Sequence, residues 1–212
     1  MLTPARAPDG RPHRAATTGC PQPSNTERVL SRVHLSPGAG VLIADHAERR
    51  PRASATSTPK PLLYLDIDGV LNPVCPHPDS GYRRHLLLRS EVEVLLSPAH
   101  AVWLRELAEV YDLAWASTWE AWANHCIAPL LGLPELPWVA CGSSAGSPDG
   151  DFAPIVRHAA GRPFAWVDDL IPPRLLRRYA HRSDVLLLPV EPGQGLRRGH
   201  VDRLLSRPPT AV

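Results

Sequence analysis

From residue 61 onwards, short apolar runs alternate with stretches of helical periodicity, and this alternation strongly constrains the fold. Apolar runs of about four to eight residues bounded by polar turns are typical of strands buried on both faces of a parallel sheet. Strands that alternate with helices predict repeated β-α-β units. The sequence therefore predicts an α/β fold, a Rossmann-like three-layer sandwich with a parallel sheet of about five strands. We expect the strands near residues 62–66, 112–116, 136–140, 164–167 and 185–190.

One segment interrupts this alternation. Residues 82–88 and 92–96 are two apolar stretches separated by Arg89, Ser90 and Glu91. Two short apolar runs joined by a few polar residues predict an antiparallel β-hairpin. We therefore expect a hairpin over residues 82–97, between the first and second strands of the sheet.

Residues 1–58 have a different texture, rich in Pro, Ala, Arg, Ser and Thr and with little periodicity. Such composition predicts a disordered or poorly ordered extension, followed by one folded domain over residues 59–212. Residues 1–60 carry a net charge of +5, whereas residues 61–212 carry −3. The basic arm makes nucleic acid a possible partner, but scattered charges and an acidic domain do not favour one.

The expected location follows from two absences in the sequence. No apolar run approaches the roughly 18 residues that a membrane span needs, so no membrane partner is expected. The cysteines form neither a CxxC pair nor a zinc-binding spacing, which favours reduced, unpaired thiols in a cytoplasmic protein. They are Cys20, Cys75, Cys126 and Cys141.

Polar side chains stand at the ends of three predicted strands. In open parallel sheets, ligands bind at the carboxyl ends of the strands, so these side chains are expected to lie close together. Each pair alone is weak evidence, and the three pairs in this order are a much stronger signal. The pairs are Asp66 with Asp68, Ser117 with Thr118, and Asp168 with Asp169.

Carboxylates in this arrangement suit phosphoryl transfer. A carboxylate such as that of Asp66 can attack phosphorus and form an aspartyl-phosphate that water later hydrolyses. A carboxylate repels a phosphate dianion, so a divalent cation must bridge the two. Mg²⁺ suits this role because it takes oxygen ligands and keeps positions for water and substrate. Asp66 with Asp168 and Asp169 would supply the metal site.

The remaining groups fit the same chemistry. Asp68 lies two residues beyond Asp66, near enough to protonate a leaving oxygen. Gly69 has no side chain, so the turn after the first strand can approach a ligand closely. The hydroxyl of Ser117 or Thr118 can donate a hydrogen bond to the phosphate.

Three segments resemble the motifs of the haloacid-dehalogenase-like (HAD) hydrolase superfamily: LLYLDIDGVLNP, LAWASTW and FAWVDDL. The resemblance spans roughly residues 61–190. It implies that Asp66 is the nucleophile, that Asp68 is the acid/base and a metal ligand through its backbone carbonyl, and that Ser117 holds the phosphate. It also implies a small member with little or no cap domain. A β-hairpin flap over about residues 72–97 would follow the first motif.

The chain departs from the family at the third motif, a Lys or Arg that neutralises the nucleophile and the phosphate. Spacing places this position near Asp151, which has the opposite charge. The single lysine, Lys60, is expected about 20 Å away, at the other end of the first strand. Arg157 is the best-placed substitute by sequence and is predicted to bind phosphate; Arg83 or Arg84 of the flap could also reach the site.

The predicted function is therefore a Mg²⁺-dependent phosphomonoester hydrolase that acts on a small phosphorylated substrate. One alternative is a catalytically weak or inactive HAD-like domain that binds a phosphorylated ligand or a protein partner. Another is a nucleic-acid end-processing phosphatase. Trp119 and Trp122 could stack on bases, although tryptophan more often packs in a core. A calcium-loop interpretation of residues 66–69 fails because further ligands in register are missing.

Overall fold

Five parallel strands form the central sheet of the computed structural model, which describes residues 59–77, 80–87, 92–142, 149 and 151–211. With strands numbered in chain order, the sheet runs β5-β4-β1-β6-β7, so the first strand lies in the middle. Each neighbouring pair is parallel. The strands are β1 (Leu62–Leu65), β4 (Asp112–Ser117), β5 (Trp138–Ala140), β6 (Phe164–Asp168) and β7 (Val185–Pro189).

The predicted hairpin is present as a separate two-stranded antiparallel sheet. Its strands are β2 (Arg83–Leu87) and β3 (Val92–Leu96), with Arg83 opposite Leu96 and Leu87 opposite Val92. Val94 and Leu96 are buried, whereas Leu86 is 61% exposed. The hairpin therefore buries mainly β3, and β2 forms its outer strand.

A helix follows each strand from β3 to β7, and the helices cover both faces of the sheet. Helix α1 begins where the sequence places Ser97 and Pro98: the Ser97 hydroxyl accepts a hydrogen bond from the Ala99 N–H, and Pro98 occupies the first turn. The helices are α1 (Pro98–Ala108), α2 (Ala128–Leu131), α3 (Phe152–Ala159), α4 (Pro173–Tyr179) and α5 (Arg198–Ser206). A π-helical turn, Ala123–Ile127, precedes α2 and ends just before Pro129, which has no N–H to donate.

Alternate residues of β1 pack into two different apolar layers. Leu63 and Leu65 belong to one buried cluster, which includes Leu104 of α1 and Leu204 of α5. Tyr64 belongs to the other. A central strand with apolar residues on both faces is the expected arrangement in a doubly covered parallel sheet. The predicted α/β three-layer architecture with a small hairpin is confirmed.

Two further predictions meet the structure only in part. The extension over residues 1–58 lies outside the described residues. Cys126 and Cys141 form no disulfide, but Cys75 is disulfide-bonded, so the prediction of unpaired thiols is wrong for that residue. Cys75 lies exposed in the loop after β1, where a thiol is accessible to a partner. In the part of the chain that the structure describes, no helix has the length and apolarity to span a membrane.

His100 is a buried polar side chain of α1. It is fully buried, its Nε2 lies 3.3 Å from the Leu196 carbonyl oxygen, and its ring packs edge-on against Tyr82. Burial lowers the pKa of His100 to about 4, and the hydrogen bond to Leu196 offsets only part of that effect. The folded protein therefore holds His100 neutral at pH 7.

We expect His100 to make folding less favourable in mild acid. An unfolded histidine titrates near pH 6.5, so between that pH and pH 4 the unfolded chain binds a proton that the folded chain does not. Stability should therefore fall as the pH falls, by roughly 2 kcal/mol from this group between pH 7 and pH 4.5. Urea unfolding at both pH values should show a smaller loss in His100→Gln, whose amide can still donate to Leu196. The exposed His125→Gln variant is the control, and equal losses in all three proteins would contradict the prediction.

Candidate active site

The carboxyl ends of the three central strands carry the predicted polar residues. Asp66 follows β1 directly, and its backbone N–H still donates to the Val167 carbonyl of β6, at 3.1 Å. Ser117 is the last residue of β4 and Asp168 the last of β6; they are 2% and 7% exposed. Parallel pairing of β1 with both neighbours therefore brings all three residues to one edge of the sheet.

Three carboxylates converge at this edge. One oxygen from each of Asp66, Asp168 and Asp169 lies within 4.8 Å of the others. Asp168 also makes a local contact, because its Oδ1 accepts a hydrogen bond from the Leu170 N–H at 2.7 Å. An octahedral Mg²⁺ ion with oxygens at about 2.1 Å needs ligand atoms about 3 to 4 Å apart, so small side-chain rotations fit this set to the ion.

The charges around Asp66 are unfavourable to another anion. Burial raises the pKa of Asp66 well above its usual range, and the carboxylates of Asp168, Asp68 and Asp169 raise it further; the Ile67 N–H bond offsets only a part. Among the described residues, the charged neighbours that shift this pKa are carboxylates. A cation at this position would relieve the repulsion, and the chemistry of the donor set is that of a hard divalent ion.

Gly69 allows the turn after β1 to pack directly against the acidic cluster. Its φ is +83°, in the left-handed region that favours glycine. A Cβ atom built on Gly69 would lie 2.5 Å from Cγ of Asp169. The glycine is thus required both by its backbone conformation and by the position of the Asp169 carboxylate.

The Asp68 carboxylate makes hydrogen bonds of its own and is not one of the three converging carboxylates. Its Oδ1 accepts a hydrogen bond from Nδ2 of Asn72 at 2.8 Å, and its Oδ2 accepts one from Nε1 of Trp119 at 2.9 Å. The three-carboxylate cluster therefore does not include the Asp68 side chain. The metal contact predicted for Asp68 uses its backbone carbonyl and not this carboxylate.

The segment after β4 presents the two predicted hydroxyls in a tight turn. The Glu120 N–H donates to the Ser117 carbonyl at 3.2 Å, and Glu120 adopts a positive φ of 47°. A non-glycine residue in this region is uncommon and is found disproportionately in functional turns. Ser117 is buried at the strand end, and Thr118 is partly buried beside it.

The structure does not bring the predicted cations to Asp66. Lys60 donates to the Ala108 carbonyl at 2.9 Å, at the amino end of β1. Arg157 is exposed in the last turn of α3 and, among the described residues, forms no ion pair with a carboxylate. Asp151, at the position expected for the lysine, accepts a hydrogen bond from the Gly142 N–H at 2.7 Å.

Sequence reasoning missed two polar contacts of the site, those of Asn72 and Trp119 with Asp68. Asn72 lies within the first motif, four residues after Asp68, and this spacing was an available signal. Trp119 lies 51 residues from Asp68, and its role depends on the turn after β4. Its place two residues after Ser117 puts it near the site, but the residue type by itself favours core packing.

Comparison with known proteins agrees with this geometry. Residues 62–201 match the family described as the HAD domain in Swiss Army Knife RNA repair proteins. No curated protein and no solved structure matches the chain. The match runs from β1 to the first turn of α5, and it includes the strand ends that carry the acidic cluster and Ser117. The family supports a hydrolase of the phosphatase type in general terms, and the chain belongs to this HAD domain family.

Proposed function

We propose that the chain is a Mg²⁺-dependent phosphomonoester hydrolase that acts through an aspartyl-phosphate on Asp66. The observation that carries the proposal is the convergence of the Asp66, Asp168 and Asp169 carboxylates within 4.8 Å at the carboxyl edge of a parallel sheet. Ligands of open α/β sheets bind at this edge. Membership of a hydrolase family supports the same conclusion.

The proposed ligands of Mg²⁺ are the carboxylates of Asp66, Asp168 and Asp169, together with the backbone carbonyl of Asp68 that the family resemblance implies. When bound, the ion supplies positive charge between the carboxylates and the phosphate oxygens. Ser117 lies at the end of the neighbouring strand. Its hydroxyl, or that of Thr118, would donate to a phosphate oxygen and orient the phosphorus towards Asp66.

The two steps of the reaction use Asp66 and Asp68 in different roles. In the first, an oxygen of Asp66 attacks phosphorus, the bond to the leaving oxygen breaks, and Asp68 gives that oxygen a proton. In the second, Asp68 takes a proton from water, the water oxygen attacks phosphorus, and the bond to Asp66 breaks. The second step returns both carboxyl groups to their starting state and releases inorganic phosphate.

The mechanism also calls for a cationic side chain that faces the phosphate. Arg157 is exposed, and Arg84 is paired with Glu93 at 3.0 Å in the hairpin. A phosphate-binding role for Arg157, Arg83 or Arg84 therefore stays a prediction. Without such a cation the chain would be a weak catalyst or a binding domain for a phosphorylated ligand or a protein. Asp66→Asn separates these alternatives.

We expect Asp66→Asn to abolish Mg²⁺-dependent phosphate release from 4-nitrophenyl phosphate and from a panel of phosphorylated metabolites. The amide is a far weaker nucleophile and removes one negative ligand, so turnover should fall by a factor of about a thousand or more. Asp202→Asn is the matched control, because Asp202 is exposed on α5 and, among the described residues, pairs with Arg198. Equal, very low turnover in wild type and both variants would favour the binding domain.

Mg²⁺ binding should depend on Gly69 and not on Gly81. Both have a φ near +80°, so replacement by Ala strains both backbones. Only at Gly69 would the new Cβ collide with Asp169; at Gly81 it would meet no atom within 4 Å. Calorimetric titration with Mg²⁺ should show affinity weakened by about tenfold or more in Gly69→Ala, with little change in Gly81→Ala. Equal affinities in the two variants would remove Asp169 from the proposed metal site.

A second candidate, dephosphorylation of nucleic-acid ends, is favoured by the name of the matching family, which refers to RNA repair proteins. This function predicts a kcat/KM for RNA with a terminal phosphate at least about tenfold above that for small phosphate esters. It also predicts a steep decline with added salt, because phosphate contacts release counterions. Equal values for RNA and a mononucleotide, without extra salt dependence, would favour a small substrate.

The cytoplasmic location stays a prediction. Disulfides are rare in reducing compartments, so the disulfide of Cys75 does not favour this location.

A further inference from the structure

We propose that Asn72 and Trp119 are positioning residues that hold the Asp68 carboxyl group in place for proton transfer to the leaving oxygen. The proposal rests on the function proposed above, because it assigns a purpose to two contacts of the acid/base residue. It concerns two side chains that do not belong to the acidic cluster of Asp66, Asp168 and Asp169.

The two donors hold both oxygens of the Asp68 side chain. Nδ2 of Asn72 donates to Oδ1 at 2.8 Å, and Nε1 of Trp119 donates to Oδ2 at 2.9 Å. Bonds at both oxygens fix the rotation of the carboxyl plane as well as the direction of the side chain. Each carboxylate oxygen can accept more than one hydrogen bond, so this arrangement leaves capacity for a substrate oxygen or a water.

The amide of Asn72 is itself held in a fixed orientation. Its Oδ1 accepts a hydrogen bond from the Leu95 N–H of β3 at 2.9 Å, so a flip of the amide would break two bonds. Its backbone is anchored as well, since the Asn72 carbonyl accepts from the Gly69 N–H at 2.8 Å and the Asn72 N–H donates to Ile67. A continuous path of hydrogen bonds thus joins the hairpin to Asp68.

The indole of Trp119 is presented by the same turn that presents Ser117. The Glu120 N–H closes this turn on the Ser117 carbonyl, and Glu120 adopts the left-handed conformation. Trp119 is partly buried, and its N–H is its only polar side-chain group. Phenylalanine would fill most of the same space, so the hydrogen bond can be removed with little change in packing.

Loss of positioning should affect esters differently according to their leaving groups. A 4-nitrophenolate ion is stable enough to depart without a proton, whereas an alkoxide must receive the proton of Asp68 as the phosphorus–oxygen bond breaks. A carboxyl group that rotates freely would deliver that proton less often. Loss of the indole N–H should therefore slow the hydrolysis of alkyl phosphates and leave 4-nitrophenyl phosphate nearly unaffected.

The contact can be tested without any catalytic activity. In ¹H–¹⁵N spectra, the Nε1–H resonance of Trp119 is identified as the one absent in Trp119→Phe. We expect Asp68→Ala to shift this resonance more than any other indole resonance and to accelerate its exchange with solvent. Trp122, which is 42% exposed, serves as the reference tryptophan. The proposal would be overturned if Asp68→Ala, in a folded protein, changed neither the chemical shift nor the exchange rate of the Trp119 resonance.

The kinetic test compares wild type, Trp119→Phe and Trp122→Phe on 4-nitrophenyl phosphate and glycerol 2-phosphate with Mg²⁺. We expect kcat for the alkyl ester to fall about tenfold in Trp119→Phe, with less than about a twofold change for the aryl ester and little change in Trp122→Phe. Asn72→Ala should repeat the pattern, which protects the test if one variant folds poorly.

The outcomes separate failure of this proposal from failure of the proposed function. Equal losses on both esters, or no loss on either, in an active enzyme would assign the two contacts a structural role and overturn the positioning. A wild type that hydrolyses neither ester, while the Trp119 resonance still responds to Asp68→Ala, would instead overturn the proposed hydrolysis of small phosphate esters and leave the contact itself established.

Discussion

The parallel pairing of β1 with both β4 and β6 is the constraint on which the rest of the site depends. The register places Leu65 opposite Trp115 on one side and opposite Val167 on the other, so the next residues of all three strands emerge side by side. Neighbouring strands are about 4.8 Å apart, which is also the scale of a metal coordination sphere. Side chains far apart in sequence therefore meet because the backbone ladder holds them together.

This arrangement assembles carboxylates that repel one another. Burial and the charges of Asp168, Asp68 and Asp169 all raise the pKa of Asp66. The repulsion is tolerated because the backbone cannot relax: Asp66 is tied to Val167, and Val190 donates to the Asp168 carbonyl at 3.1 Å. The free energy of sheet formation and core packing thus stabilises an acidic cluster that is unfavourable by itself. Relief of this repulsion would add to the free energy of binding of a cation.

The strand ends were predictable from the sequence because the signal is local. An apolar run that ends in Asp66 or Asp168 predicts where a buried strand ends, and parallel sheets place such strand ends at the same edge. The partners of Asp68 were not predictable in the same way. The contact of Trp119 with Asp68 depends on the turn that Glu120 closes. Glu120 adopts a positive φ there, which its residue type does not predict. At the position expected for the third motif, Asp151 accepts a hydrogen bond from the Gly142 N–H, a local contact that the spacing alone does not predict.

The distribution of charge also bears on how an active site of this kind would hold its substrate. In a site with a lysine beside the nucleophile, part of the positive charge that faces the phosphate is permanent. Among the described residues, the charged groups that shift the pKa of Asp66 are acidic, and Lys60 bonds to Ala108 instead. Under the proposed function, attraction for a phosphate would then come largely from a bound cation and from neutral donors such as Ser117. Metal binding and phosphate binding would be thermodynamically linked in such a site, each strengthening the other by the same factor. The two hydrogen bonds to the Asp68 carboxylate are consistent with such a site. Their donors, Asn72 and Trp119, are neutral and add no fixed charge near the phosphate.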